Sequence, residues 1–130
     1  MTIDEPAAKA ELEALFAAYE RALMENDLEA LDGFFWPSVQ VMRFGDHGAS
    51  YGIAEIAAFR RNRTGGSPRR VLRNTRIVTF GPDHGVATTE FSREGEPRLG
   101  RQTQVWVRFA DVGWRIVSAH VSLAATQAGA

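Results

Sequence analysis

Two polar side chains stand where the pattern of the sequence calls for apolar ones. Tyr19 falls inside a stripe of Leu12, Leu15, Phe16 and Leu23 that recurs at helical spacing. Its ring is ordinary core material, but its hydroxyl needs a partner if buried. A core tyrosine would satisfy that hydroxyl and do nothing more. A reactive one would donate to a developing oxyanion, or, ionised beside a guanidinium, act as a base. Arg43 alternates with Val39 and Val41 on one face of an expected strand. A charge there is costly unless an anion or a carboxylate meets it. Arginine is suited to that task, because its planar fork grips a carboxylate with two parallel hydrogen bonds. Together Tyr19 and Arg43 could hold a small carboxylate and stabilise the carbonyl beside it.

Other candidates are weaker. Arg73 and Arg101 are second-line anion binders; strand arginines also face solvent or pair with a neighbouring acid, here Glu90 or Glu94. Trp36 and Trp106 could line a pocket or fill the core. His120 sits in an apolar strand, where it could contact a substrate or serve as a general base, or be a hydrogen-bonded core residue. Ser118 and His120 share a strand face, but without a nucleophile-elbow sequence a triad is unsupported. His47, His84 and His120 lack the spacing of zinc ligands, and no glycine-rich phosphate loop is present. The residues therefore call for no metal and no cofactor.

Composition narrows the partners. The chain has 130 residues, 45% hydrophobic and 24% charged, with a formal net charge of −1, which fits one globular domain. That balance gives no reason to expect nucleic acid or a membrane surface. The absence of cysteine excludes thiolate chemistry. The acidic, alanine-rich start reads as neither signal peptide nor membrane span, so a cytoplasmic location is expected. Charge is unevenly spread. Nine of the 16 acidic residues precede Gly33, whereas Arg60 to Pro82 holds seven arginines and no acid. Fourteen of the 15 basic residues are arginine, a bias that nucleotide composition alone can produce.

The elements that must position these residues follow from periodicity. Helices are expected over Pro6–Met24, Leu28–Phe35 and Ile53–Arg61, the second opened by an Asn26/Glu29 capping box. Strands are expected over Val39–Phe44, briefly at Ser50 to Gly52, then over Arg70–Phe80, Gly85–Arg93, Arg101–Phe109 and Trp114–Leu123. The last two form a hairpin through Asp111, Val112 and Gly113. Neither alternates cleanly: Trp114 and Ile116 share one face, while Val117, Ala119, Val121 and Leu123 take the other. A sheet apolar on both faces needs helices on one and a second copy of the chain on the other. Thr126 to Ala130 reads as a frayed tail. Helices first and strands after make an α+β domain, helices packed on one face of a strongly bent, mainly antiparallel mixed sheet.

That order, closed by GWRIVSAHVSL, resembles the cone-shaped nuclear transport factor 2-like superfamily shared with ketosteroid isomerase and the SnoaL-like cyclases. MTIDEP, YERALMENDLEALDGFFW, VMRFG, YGIAEIAAFRRNR, LRNTRIVTFG and TEFSREGEPRLGRQTQVWVRF look like the AtzH/HpxZ-type family of oxalurate and s-triazine catabolism, over nearly the whole chain. The resemblance implies a single domain with a pocket between helices and concave sheet, and a homodimer through the sheet. It also implies hydrolysis of a carboxylated urea, 1,3-dicarboxyurea, with a helix tyrosine and a strand arginine that match Tyr19 and Arg43. Two functions stay open. One is a cofactor-independent hydrolase of a C–N bond in a small carboxylated urea or amide. The other is a protein of the same pathway that binds an anionic metabolite or docks on an amidase.

Overall fold

The computed structural model describes residues 1–127. Three helices, α1 (Pro6–Glu25), α2 (Leu28–Gly33) and α3 (Ile53–Asn62), pack on one six-stranded sheet. Its strands are β1 (Met42–Gly45), β2 (Gly48–Tyr51), β3 (Arg70–Phe80), β4 (His84–Arg93), β5 (Arg98–Phe109) and β6 (Gly113–Gln127). They lie in the order β2-β1-β6-β5-β4-β3. β1 runs parallel to β6, and every other pair is antiparallel, so the sheet is mixed as expected. The fold class is α+β.

Several boundaries differ from the expectation. Asn26 does not open α2; it closes α1 in a left-handed conformation, φ 55°. Asp27 caps α2 instead, its side chain accepting from the Ala30 amide at 3.2 Å. α2 stops at Gly33, because Phe35 bridges in parallel to Ile116 and Trp36 donates to the Ile116 carbonyl. Ser38 turns the chain by accepting from the Gln40 amide, so β1 begins only at Met42 and Val39 is exposed. β6 runs through Gln127, whose register partner is Arg98, so Thr126 and Gln127 are not frayed. The rest of the expected tail, 128–130, lies outside the described residues.

The uneven alternation of the last hairpin has a local cause. Trp106 pairs with Ile116 and Val105 with Ser118, which leaves Val117 as an extra residue, a β-bulge. The bulge shifts the phase of β6 by one residue. Trp114, Ile116, Ala119 and Val121 therefore all point to the helix side and are buried. This corrects the two-sided reading: only Val117 of that set is left off the inner face. A second irregularity between Arg73 and Arg76 bends β3, with Asn74 at φ 54°.

The core lies between α1 and the inner sheet face. Leu12, Phe16, Tyr19 and Leu23 of α1 meet Ala87, Trp106, Ile116 and Ala119, with Leu31, Phe35, Val41 and Ile56 closing the sides. Each large side chain removed from water contributes roughly 1.5–3 kcal/mol. Gly85 lets α1 press on β4: a methyl group there would overlap Leu12.

Candidate functional site

Past the apolar core, where α1, the end of α3 and the concave sheet face converge, the side chains turn polar. Tyr19 is 5% exposed, with its ring edge-on to Phe34 and Phe35 at 5.5 and 6.3 Å. Its phenol oxygen accepts a hydrogen bond from Nη2 of Arg60 at 3.1 Å. Arg60 comes from the last turn of α3 and is 3% exposed, its guanidinium 5.0 Å from the centre of the Phe35 ring. A guanidinium only donates, so the phenol oxygen is the acceptor and its own proton stays free to be given to a ligand.

Arg43 reaches the same place from β1. It is 9% exposed, and its guanidinium lies 4.7 Å from the centre of the Phe59 ring. The side chain folds back over Gly45, where a β-carbon would sit 2.8 Å from Nη1. Arg63, just after α3, approaches the same ring at 5.6 Å. Two more arginines enter from the sheet, both over Phe91: Arg70 at 4.6 Å and Arg93 at 5.1 Å. All five line one narrow cavity with Tyr19. It is narrow as it stands, about 20 Å³, so any ligand larger than a water must push aside the flexible arginine side chains that line it.

The five differ in how their charge is met. Arg70 forms a two-pronged ion pair with Glu20, 2.9 and 2.6 Å. Arg93 donates to Asp46 at 3.0 Å. Burial alone would raise the Asp46 carboxyl, but the hydrogen bond and charge of Arg93 outweigh it and hold the group below its usual value. Among the described residues, Arg43, Arg60 and Arg63 have no carboxylate within ion-pairing distance. Nε and Nη1 of Arg60, and Nε and Nη2 of Arg63, are buried without a partner. Desolvation by burial pulls the guanidinium of Arg43 below its usual value, and the charges of Arg60 and Arg63 add to that. Arg63 is lowered the same way, by burial first and then by Arg60. Two buried guanidiniums and a half-buried third, none of them ion-paired among the described residues, can meet a small molecule with more than one negative charge.

Tyr19 and Arg43, the pair singled out in the sequence, thus share this cavity. The other expected site residues lie elsewhere. Arg73 is exposed on the outer sheet face and pairs with Glu90 at 3.5 Å. Arg101 is exposed on that face too, opposite Glu90 and Ser122. His120 is an outer residue by the phase that the Val117 bulge sets; it is exposed, edge-on to Phe44 at 5.7 Å. Trp36 stacks on Phe109 at 5.2 Å, away from the cavity. Trp106 is fully buried core, its indole nitrogen donating to Gln104 at 3.1 Å.

Residue-by-residue reading missed Arg60, Arg63, Arg70, Arg93 and Gln102. The acid-free run from Arg60 to Pro82 was their signal, since three of its seven arginines, Arg60, Arg63 and Arg70, enter the cavity. Among the described residues, no group of three or more His, Asp or Glu side chains could hold a metal ion. Among the described residues, no helix is long and apolar enough to cross a membrane.

Residues 1–127 match the AtzH-like family. The chain belongs to that family. Solved structures agree with the assignment. A protein of unknown function from Pectobacterium atrosepticum is 46% identical over 95% of each chain, with a TM-score of 0.91. A cystatin-like fold protein from Burkholderia xenovorans is 41% identical over 97% of this chain and 98% of that one, TM-score 0.93. A nuclear transport factor 2-like superfamily protein from Salmonella enterica shares the fold at 23% identity, covering 95% and 96%, TM-score 0.75. No curated protein sequence matches the chain. The fold is thus nuclear transport factor 2-like, and family and fold together fit a small-molecule binding protein.

Proposed function

We propose that this AtzH-like chain is a cofactor-independent hydrolase of a C–N bond in a small carboxylated urea or amide, of the 1,3-dicarboxyurea or oxalurate type, acting in nitrogen catabolism. The observation that carries the reading is the meeting of Tyr19 with three guanidiniums that no described carboxylate pairs with. Arg43 and Arg63 take the substrate's carboxylate. Arg60 fixes the phenol so that its proton points to the neighbouring carbonyl, where negative charge develops as water adds. Collapse of that adduct breaks the C–N bond, and the departing nitrogen takes up a proton from the attacking water. Holding charge and carbonyl in one orientation lowers the barrier before any bond changes.

A specific observation favours the second reading, a binding or amidase-accessory protein. Among the described residues, no carboxylate or imidazole lines the cavity to activate the water. One assay separates the two. Purified protein is incubated with oxalurate and N-carboxylated ureas while ammonia and carbon dioxide are followed. Turnover that falls about a hundred- to thousandfold in Tyr19→Phe supports hydrolysis, because that is the usual loss for one aligned oxyanion donor. Saturable binding without turnover in the wild type supports the second reading. Full activity in Tyr19→Phe ends the catalytic role of the phenol.

A further inference from the structure

Gln102 lies on the inner face of β5, is 4% exposed, and lines the cavity beside Tyr19 and Val121. Its side-chain oxygen accepts from Nη2 of Arg70 at 3.0 Å. Arg70 is in turn gripped by both oxygens of Glu20, the residue next to Tyr19 on α1. This chain of contacts fixes which way the amide points. A guanidinium has no acceptor, so only the carboxamide oxygen can face Arg70, and the NH₂ must face away from it. That Nε2 atom is buried and has no partner. A buried amide donor left unmatched destabilises the site, and a ligand acceptor would recover that loss.

We propose that Gln102 is a specificity-determining residue whose Nε2 donates to a carbonyl oxygen of the ligand, and that Glu20 and Arg70 are positioning residues that hold it in that orientation. The inference rests on the anion-site reading of the cavity and deepens it. The arginines select for negative charge, which any dicarboxylate supplies. Gln102, together with the Tyr19 phenol, selects among dianions for those with an acceptor between the charged ends. A ligand that offers a methylene there leaves both donors buried and unmatched.

Calorimetric titration with a matched pair of probes tests this. 3-Oxoglutarate and glutarate have the same length and charge, differ by one central carbonyl, and contain no C–N bond to hydrolyse. The wild type should bind 3-oxoglutarate roughly ten- to hundredfold tighter than glutarate. In Gln102→Met that ratio should shrink several-fold with glutarate affinity unchanged, which also reports that the cavity is intact. Gln102→Glu keeps the contact with Arg70 but offers the ligand an acceptor in place of a donor, so it should lose the preference as well. Glu20→Gln should lower the ratio through a loosened Arg70, while leaving glutarate bound. An undiminished ratio in Gln102→Met, or an equal loss of both probes, overturns the role of Gln102 and leaves the anion site standing. If the wild type binds neither probe, the anion-site reading falls and this inference with it.

Discussion

A guanidinium that gives up its water without meeting a carboxylate raises the free energy of the folded state, and Arg43 and Arg60 do this, with the half-buried Arg63 beside them. For Arg43 the sign follows from its lowered proton affinity. The folded chain holds that proton less tightly than the unfolded chain, so the charge costs stability at every pH below the unfolded value. Arg43→Met should therefore raise the melting temperature by a few degrees while abolishing binding of 3-oxoglutarate; a drop in melting temperature would contradict the unpaired-charge account. Tyr19→Phe should move the other way. It leaves Nη2 of Arg60 without its acceptor, at about 1 kcal/mol, so a small fall in melting temperature accompanies the loss of turnover. Tyr19 and Arg43 were legible in the sequence because each is a polar group in an apolar pattern. Arg60 and Gln102 were not. The last turn of a short helix carries too little periodicity to say which of several arginines points inward, and nothing in one sequence marks a strand glutamine as an unmatched donor.

Strands give the cavity its shape, and there the sequence pattern misled for a physical reason. Alternation reads a face only while the ladder is regular. The Val117 bulge inserts one residue, so Ile116 and Ala119 share a face that simple parity assigns to opposite sides. The same shift sends His120 outward, away from the cavity. Helix extents and strand order were accessible, because the long amphipathic α1 and the β-branched runs are strong local signals. The late start of β1 was hidden by the Ser38 turn. That short strand carries its own test. Gly45 makes room for the folded-back Arg43, and a methyl group there would meet Nη1 at 2.8 Å. The obstacle is the tip of a flexible side chain, so Gly45→Ala should fold normally. It should weaken 3-oxoglutarate binding by about tenfold, on the order of one charge-assisted hydrogen bond. Unaltered binding in that variant would show that Arg43 does not need the space.

At the scale of the whole molecule, the outer sheet face keeps only part of the apolar surface that the sequence promised it. Val121 belongs to the inner face, leaving Val86, Val105, Val107 and Val117 half-buried on the open side, with Val71 72% exposed at its edge. We propose that this strip pairs two copies of the chain. Light scattering at micromolar concentration should give twice the 14.4 kDa protomer, and Val105→Glu should halve it without emptying the cavity; a wild type that is monomeric throughout would refute the pairing. The inner face has a different consequence, set by its three uncompensated cations. Under the proposed function such a cleft is an ion exchanger: small mobile anions compete for the same guanidiniums, and an incoming metabolite must displace them. Selectivity is then a ratio of two affinities, and occupancy falls as chloride rises for reasons of competition at the site, apart from the screening that weakens charges on the surface.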